Sequence, residues 1–121
     1  MSTTSRKYAF NWSVLGGDMQ VARPGLGGET RVEVYRLLQF TLRDVLEQRY
    51  GTKEADKIFL EAGVLAGREL FKHYCTGAED VPSLAKIIQQ QFKDLGIGIV
   101  RFEIADAKNM TFQLTVDEDL D

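Results

Sequence analysis

Cysteine, histidine and proline are all scarce in this chain: one, one and two among 121 residues. A single cysteine, Cys75, excludes an internal disulfide and fits a reducing cytoplasm. The single histidine, His73, is the one imidazole that could act as a base for Cys75. Nucleophilic catalysis needs a base beside its nucleophile. His73 and Cys75 stand two residues apart in a helical segment, so their side chains point in different directions. His73 reads as a helix C-terminal residue facing the dipole, and Cys75 as a small, partly buried apolar side chain. A metal centre takes three or four protein ligands, and these two residues with the acidic tail do not supply one. The tail, DEDLD, lacks the spacing and turn glycine of a calcium loop and reads as a solvated terminus.

Long apolar runs are missing too. None approaches the ~20 residues of a membrane span, and the opening MSTTSRKYAFNW has no apolar core or cleavage site of a signal peptide. Positive charge is not in surplus: 15 Lys and Arg stand against 18 Asp and Glu, a net charge of −3. That balance argues against direct nucleic-acid binding. The glycines of PGLGGET lack the lysine of a P-loop and the spacing of a dinucleotide fingerprint, so they read as a flexible lead into a capped helix. No motif commits the chain to a reaction.

What is present is one ordinary globular domain, 44% hydrophobic and 27% charged. Residues 1–7 are polar and expected to be unstructured. Tyr8, Phe10, Trp12 and Val14 share one parity, which predicts a short strand ended by Gly16-Gly17. An irregular or partly extended connector follows over Asp18–Leu26. Residues 1–29 are thus an N-terminal strand with a glycine-rich connector, and 30–121 the main domain.

That domain opens on Thr30–Tyr50, where Thr30 and Glu33 have the spacing of a capping box. Val34, Leu38, Leu42 and Val45 form one apolar line at helical period. Leu37 and Phe40 extend beyond it, and with Thr41 they are the candidates for a second contact face. Gly51 is placed to end this helix with positive φ. Thr52 then caps a second helix through Cys75, on which Phe59, Ala62, Gly63, Ala66, Gly67, Leu70 and Tyr74 share a face, with Phe71 beside them. Gly63 and Gly67 each cost about 1 kcal/mol relative to alanine, so they have a reason to be there. Either they let the first helix pack closely, or they leave a groove walled by Phe59, Leu70, Phe71 and Tyr74. Asp80 or Ser83 caps a third helix around Pro82, with a stripe of Leu84, Ile88, Gln91, Phe92 and Leu95, and Gly96 ends it. The period then changes to two. Val100, Phe102 and Ile104, then Met110, Phe112, Leu114 and Val116, alternate with polar residues on either side of Asp106–Asn109, a hairpin with one apolar face. The sum is an α+β fold, three main helices on a small antiparallel sheet made of this hairpin and the N-terminal strand.

YRLLQFTLRDVLEQRYG, KIFLEAGVLAGREL and LGIGIVRFEIADAKNMTFQLTVDEDLD, in that order, resemble the front two-thirds of a 4-vinyl reductase domain. FNWSVLGG and VARPGLGGE are similar to stand-alone members. The family is similar in fold to sensor domains of aromatic-responsive transcription activators and to Golgi transport-particle subunits. The resemblance implies helix-mediated homodimers, here through Leu37, Phe40 and Thr41. It also implies a hydrophobic cavity for small apolar or aromatic molecules, here lined by Phe59, Gly63, Gly67, Phe71, Tyr74, Phe102 and Phe112. Zinc in the aromatic sensors is held by cysteines that follow the DEDLD-like strand end. None stands in this chain, so zinc is not carried over and no cofactor is expected within it.

Three functions follow as expectations. One is a non-enzymatic, homodimeric sensor or carrier of a small hydrophobic ligand. Another is an interaction scaffold in which the aromatic residues are simply core. The third is an accessory component of tetrapyrrole vinyl reduction.

Overall fold

The computed structural model describes residues 6–106 and 108–121. The chain forms two compact units, Met1–Arg31 and Val32–Asp121. The expectation for the chain start falls partly on residues 1–5, outside the described residues.

In the first unit the expected strand is replaced by a 3-10 turn, Trp12–Leu15, and a four-residue helix α1, Met19–Ala22. The cause is local. Asn11 accepts a hydrogen bond from the Ser13 amide through Oδ1 at 3.0 Å and one from the Val14 amide through its carbonyl at 3.1 Å. These bonds turn the backbone before a ladder can form, and among the described residues no other strand lies in this unit to pair with. The connector is not extended either: Arg23 Nε donates to Gly27 O at 2.6 Å, and the Gly27 amide returns a bond to Arg23 O at 2.9 Å.

The second unit is α+β, with helices packed on a two-stranded antiparallel sheet. Its longest element is α2, Val32–Tyr74, which begins two residues after Thr30 and is interrupted at Gly51. There φ is 82° and ψ 167°, a combination open to glycine and strained for other residues. The positive φ agrees with the sequence expectation, but the extended ψ makes a corner rather than a left-handed cap. A straight helix would separate Arg43 from Phe59 by about 24 Å at ~1.5 Å per residue. Instead the Arg43 guanidinium lies 5.1 Å from the centre of the Phe59 ring. The two arms of α2 therefore meet at an angle at this corner.

A clasp of side chains holds the corner. Arg43 bonds Glu47 at 2.8 Å within its own arm and Asp56 at 2.6 Å across the corner. Thr52 Oγ1 donates to Glu47 Oε1. The hydroxyl of Thr52, followed by the guanidinium of Arg43, lowers the Glu47 carboxyl below its ordinary range.

Helix α3, Val81–Asp94, starts on a capping box between Asp80 and Ser83, with Pro82 in its first turn. It ends as a Schellman motif: the Ile97 amide reaches Phe92 O at 2.8 Å and the Gly96 amide reaches Lys93 O at 3.0 Å, with Gly96 at φ 74°. Strands β1, Ile99–Asp106, and β2, Thr111–Asp117, form the hairpin. Helix α3 packs on β1, and Gln89 Nε2 donates to Val100 O at 3.1 Å.

Two details depart from strict alternation. A bulge between Phe102 and Ile104 pairs Phe102 with Leu114 but Ile104 with Gln113, so Ile104 leaves the apolar face of Phe102. Met110 lies in the turn at φ 52° rather than in the strand. Ala107 lies outside the described residues. The acidic tail is not a free terminus as expected: Leu120 is half-buried and its carbonyl accepts from Arg36 Nε at 2.6 Å.

Two outcomes test this architecture. Gly51→Ala has open space for its methyl, so the cost is conformational, about 1–3 kcal/mol of stability, read by denaturant unfolding. Glu47 has a depressed folded pKa. Its contribution is present above the unfolded value of about 4.3 and is lost as pH falls through the lower folded value. Acid titration of stability is therefore shallower below about pH 4.3 in Glu47→Gln than in the wild type.

Candidate functional site

The sequence points to an apolar site between helices and sheet, and α2 positions most of its proposed lining. Its seven residues fall in separate places. Phe59 is half-buried under the Arg43 guanidinium at the corner. Gly63 and Gly67 face open space, with nothing within 4 Å of where a Cβ would stand. The first arm of α2 therefore does not pack against them, and close helix packing within one chain is not their explanation. Phe71 is 49% exposed and Tyr74 37% exposed, at the end of the second arm. Phe102 and Phe112 belong to the hairpin, paired with Leu114 and Ala105 rather than with each other.

Of the seven, Phe71 lines a well-defined groove. This groove, of about 420 Å³, lies where α2 gives way to α3. Cys75 forms part of its wall with Val81 and Leu84, and the loop 76–80 completes it. The local reason is the short connection: Gly77 at φ 94° and the Asp80 cap turn the chain back within five residues, which sets Leu84 of α3 beside Phe71 and Cys75. Sequence reasoning placed Leu84 in a core stripe and Cys75 among small apolar residues, but did not join them. The signal available was a helix end and a helix start separated by only a short loop, which brings the two apolar termini together.

The chemistry of this groove is that of a container. Burial pushes the Cys75 thiol above its ordinary pKa, so it stays protonated at neutral pH and is a weak nucleophile. His73 is turned to its own helix, with Nδ1 2.8 Å from Glu69 O, and does not line the groove with Cys75. Asp80, on the rim, is held below the usual carboxylate range chiefly by the amide of Ser83 and then by its hydroxyl. Its charge is thus committed to capping α3. Among the described residues, no group of three or more His, Cys, Asp or Glu is placed to hold a metal ion. Nor is any described helix long and apolar enough to cross a membrane.

A second, smaller groove of about 260 Å³ is lined by Tyr35, Phe92, Ile97 and Val116 together with the tail residues Asp119–Asp121. Burial, and then the nearby Asp121 carboxylate, raise the pKa of the Tyr35 hydroxyl. None of the seven predicted residues borders it.

The residues expected at a dimer face lie on the outside of the first arm. Leu37 is 63% and Phe40 50% exposed. Thr41 is exposed as well, but its hydroxyl donates back to Leu37 O at 2.7 Å and Leu38 O at 3.3 Å, so its one donor is committed within its own helix. Comparison of the chain with protein-family models, with curated proteins and with solved structures finds no match.

The burial of Cys75, 3% exposed, has a direct check. Its reaction with a thiol reagent is at least about tenfold slower in the native chain than in denaturant. Equal rates would mean that the wall of the groove is not covered.

Proposed function

We propose that this chain is a non-enzymatic binding domain that self-associates through α2. The observation that carries the reading is the imbalance between what α2 presents and what the chain buries. Among the described residues the buried apolar side chains are Ala55, Cys75 and Val100, and no large side chain is fully buried. A fold held by such small groups does not offset the conformational entropy of ordering its backbone. Meanwhile Leu37, Leu38, Phe40 and Leu42 stand exposed on one arm, and Leu60, Val64 and Leu65 on the other. Single exposed apolar residues need no account, but so many large ones along both arms of one helix do.

A second copy is the occupant that suits both arms at once. The first arm carries large projecting side chains, Leu37, Leu38 and Phe40. The second carries the small set Ala62, Gly63, Ala66 and Gly67, with open space over both glycines. In a two-fold dimer each patch meets its complement on the partner, and small residues let two helices approach closely. The self-complementarity of one helix is the support for a homodimer over an unrelated partner.

The groove of Phe71, Cys75, Val81 and Leu84 favours a second role, the holding of a small hydrophobic or aromatic molecule. Its volume is in the range of small-ligand sites, ~300–1,000 Å³, and its side-chain walls are largely apolar. Sensor and carrier are the functions such a domain performs without chemistry of its own. A single buried, protonated thiol is suited to a reducing compartment such as the cytoplasm. The likeness to 4-vinyl reductase domains agrees with this reading and rests on the sequence blocks alone.

The test is sedimentation of the wild type beside Leu37→Asp/Phe40→Asp. The expected outcome is a wild-type dimer and a variant that sediments as a monomer or fails to fold. A soluble variant dimer of unchanged size contradicts the assignment. For the groove, Leu84→Asp removes any apolar adduct seen on the wild type by native mass spectrometry, and retention of the adduct places binding elsewhere.

A further inference from the structure

Strand β2 ends at Asp117, and the next residue, Glu118, stands at φ 53°, a left-handed conformation uncommon outside glycine and asparagine. This turn carries Asp119–Asp121 away from the hairpin axis and over to α2. Gly98 makes room where the tail departs. A Cβ at that position would lie 2.6 Å from Val116 Cγ1, 3.2 Å from Asp117 O and 3.5 Å from Asp119 Cα. On the far side the tail is received. Arg36 Nε donates to Leu120 O at 2.6 Å, and Leu120, half-buried, forms one wall of a groove with Tyr35, Phe92, Ile97 and Val116.

Among the described residues, the backbone of the first arm of α2 does not run close to the sheet. Helix α3 and β1 approach closely along their length, as do β1 and β2, whereas α2 makes no comparable backbone approach to α3 or to either strand. Arg43 and its partners tie the first arm to the second arm and not to the hairpin. The hydrogen bond from Arg36 to the Leu120 carbonyl, beside Tyr35, is therefore a link between this arm and the end of the hairpin. We propose that residues 118–121 are a strap that fastens the first arm of α2 to the end of the hairpin, and that opening the strap frees the arm while α3 and the hairpin remain folded. This arm carries Leu37 and Phe40, so the strap governs how that apolar face is held. The inference stands on intramolecular geometry and does not require the self-association proposed above.

Amide hydrogen exchange on the full chain, at one fixed protein concentration, tests it in the wild type, Arg36→Met, Glu118→Pro and Glu118→Gly. Arg36→Met removes the donor and keeps an apolar stem. Glu118→Pro forbids the positive φ, and Glu118→Gly retains it. The expected result is exchange roughly tenfold faster or more over residues 32–44 in Arg36→Met and Glu118→Pro, with α3, β1 and β2 unchanged, and wild-type exchange in Glu118→Gly. Three results overturn the proposal. One is unaltered exchange of the arm in Arg36→Met and Glu118→Pro. Another is an equal rise across all elements, or failure of either variant to fold, which makes the contact part of the general core. The last is the same behaviour in Glu118→Pro and Glu118→Gly, which removes the turn from the account.

Discussion

The corner at Gly51 is the constraint on which the second unit depends. With φ 82° and ψ 167° the residue lies where a side chain is strained, and it converts what would be one long rod into two arms. Local energetics alone would not choose this. A helix of good formers extends readily, and the break gives up backbone hydrogen bonds. What favours the corner is the set of contacts it permits, Arg43 to Asp56 and Arg43 over Phe59, neither reachable from a straight helix. The clasp groups are partly exposed, and ion pairs in that setting contribute modestly. Its role is to fix an angle that glycine alone leaves loose.

From that angle the rest follows. The second arm ends at Cys75, where a short loop returns the chain into α3. Helix α3 then covers β1 and hands the chain to the hairpin through the Gly96 turn. The hairpin ends in the tail that crosses back to Arg36 at the start of the first arm. The chain thus closes on itself at both ends of α2, while the faces between remain uncovered. This arrangement supports the proposed association. Arg43, Glu47, Asp56, Asp80 and Ser83 are engaged in the clasp and the cap, while large apolar side chains stand exposed along α2.

What the sequence made legible was local. The break at Gly51, a cap at Asp80 or Ser83, the Gly96 stop and the two-residue period of the hairpin each follow from a few neighbouring residues; the cap and the stop stand as expected, Gly51 makes a corner instead of a left-handed cap, and a bulge interrupts the hairpin period. The α+β class followed from them. The N-terminal strand did not form because Asn11 turns its own backbone, a competition that alternation of Tyr8, Phe10, Trp12 and Val14 does not register. Ile104 shares the parity of Phe102 yet changes face, because one bulged residue resets the phase. The candidate lining came apart for a longer-range reason. Helical projection shows which residues share a face, but the corner decides what that face meets. Phe59 meets Arg43, the two glycines meet open space, and Phe71 meets α3. Leu120 in a run of acids read as a solvated end because its partner, Arg36, lies at the opposite end of the domain.

The central claim is that α2 completes its burial on a second copy of the chain. Sedimentation equilibrium of the wild type over a wide concentration range, paired with thermal unfolding at the same concentrations, measures it most directly. The proposed dimer gives a species of twice 13.7 kDa and an unfolding midpoint that rises with concentration, because folding and association are linked. A cooperatively folded monomer with a midpoint independent of concentration would contradict it.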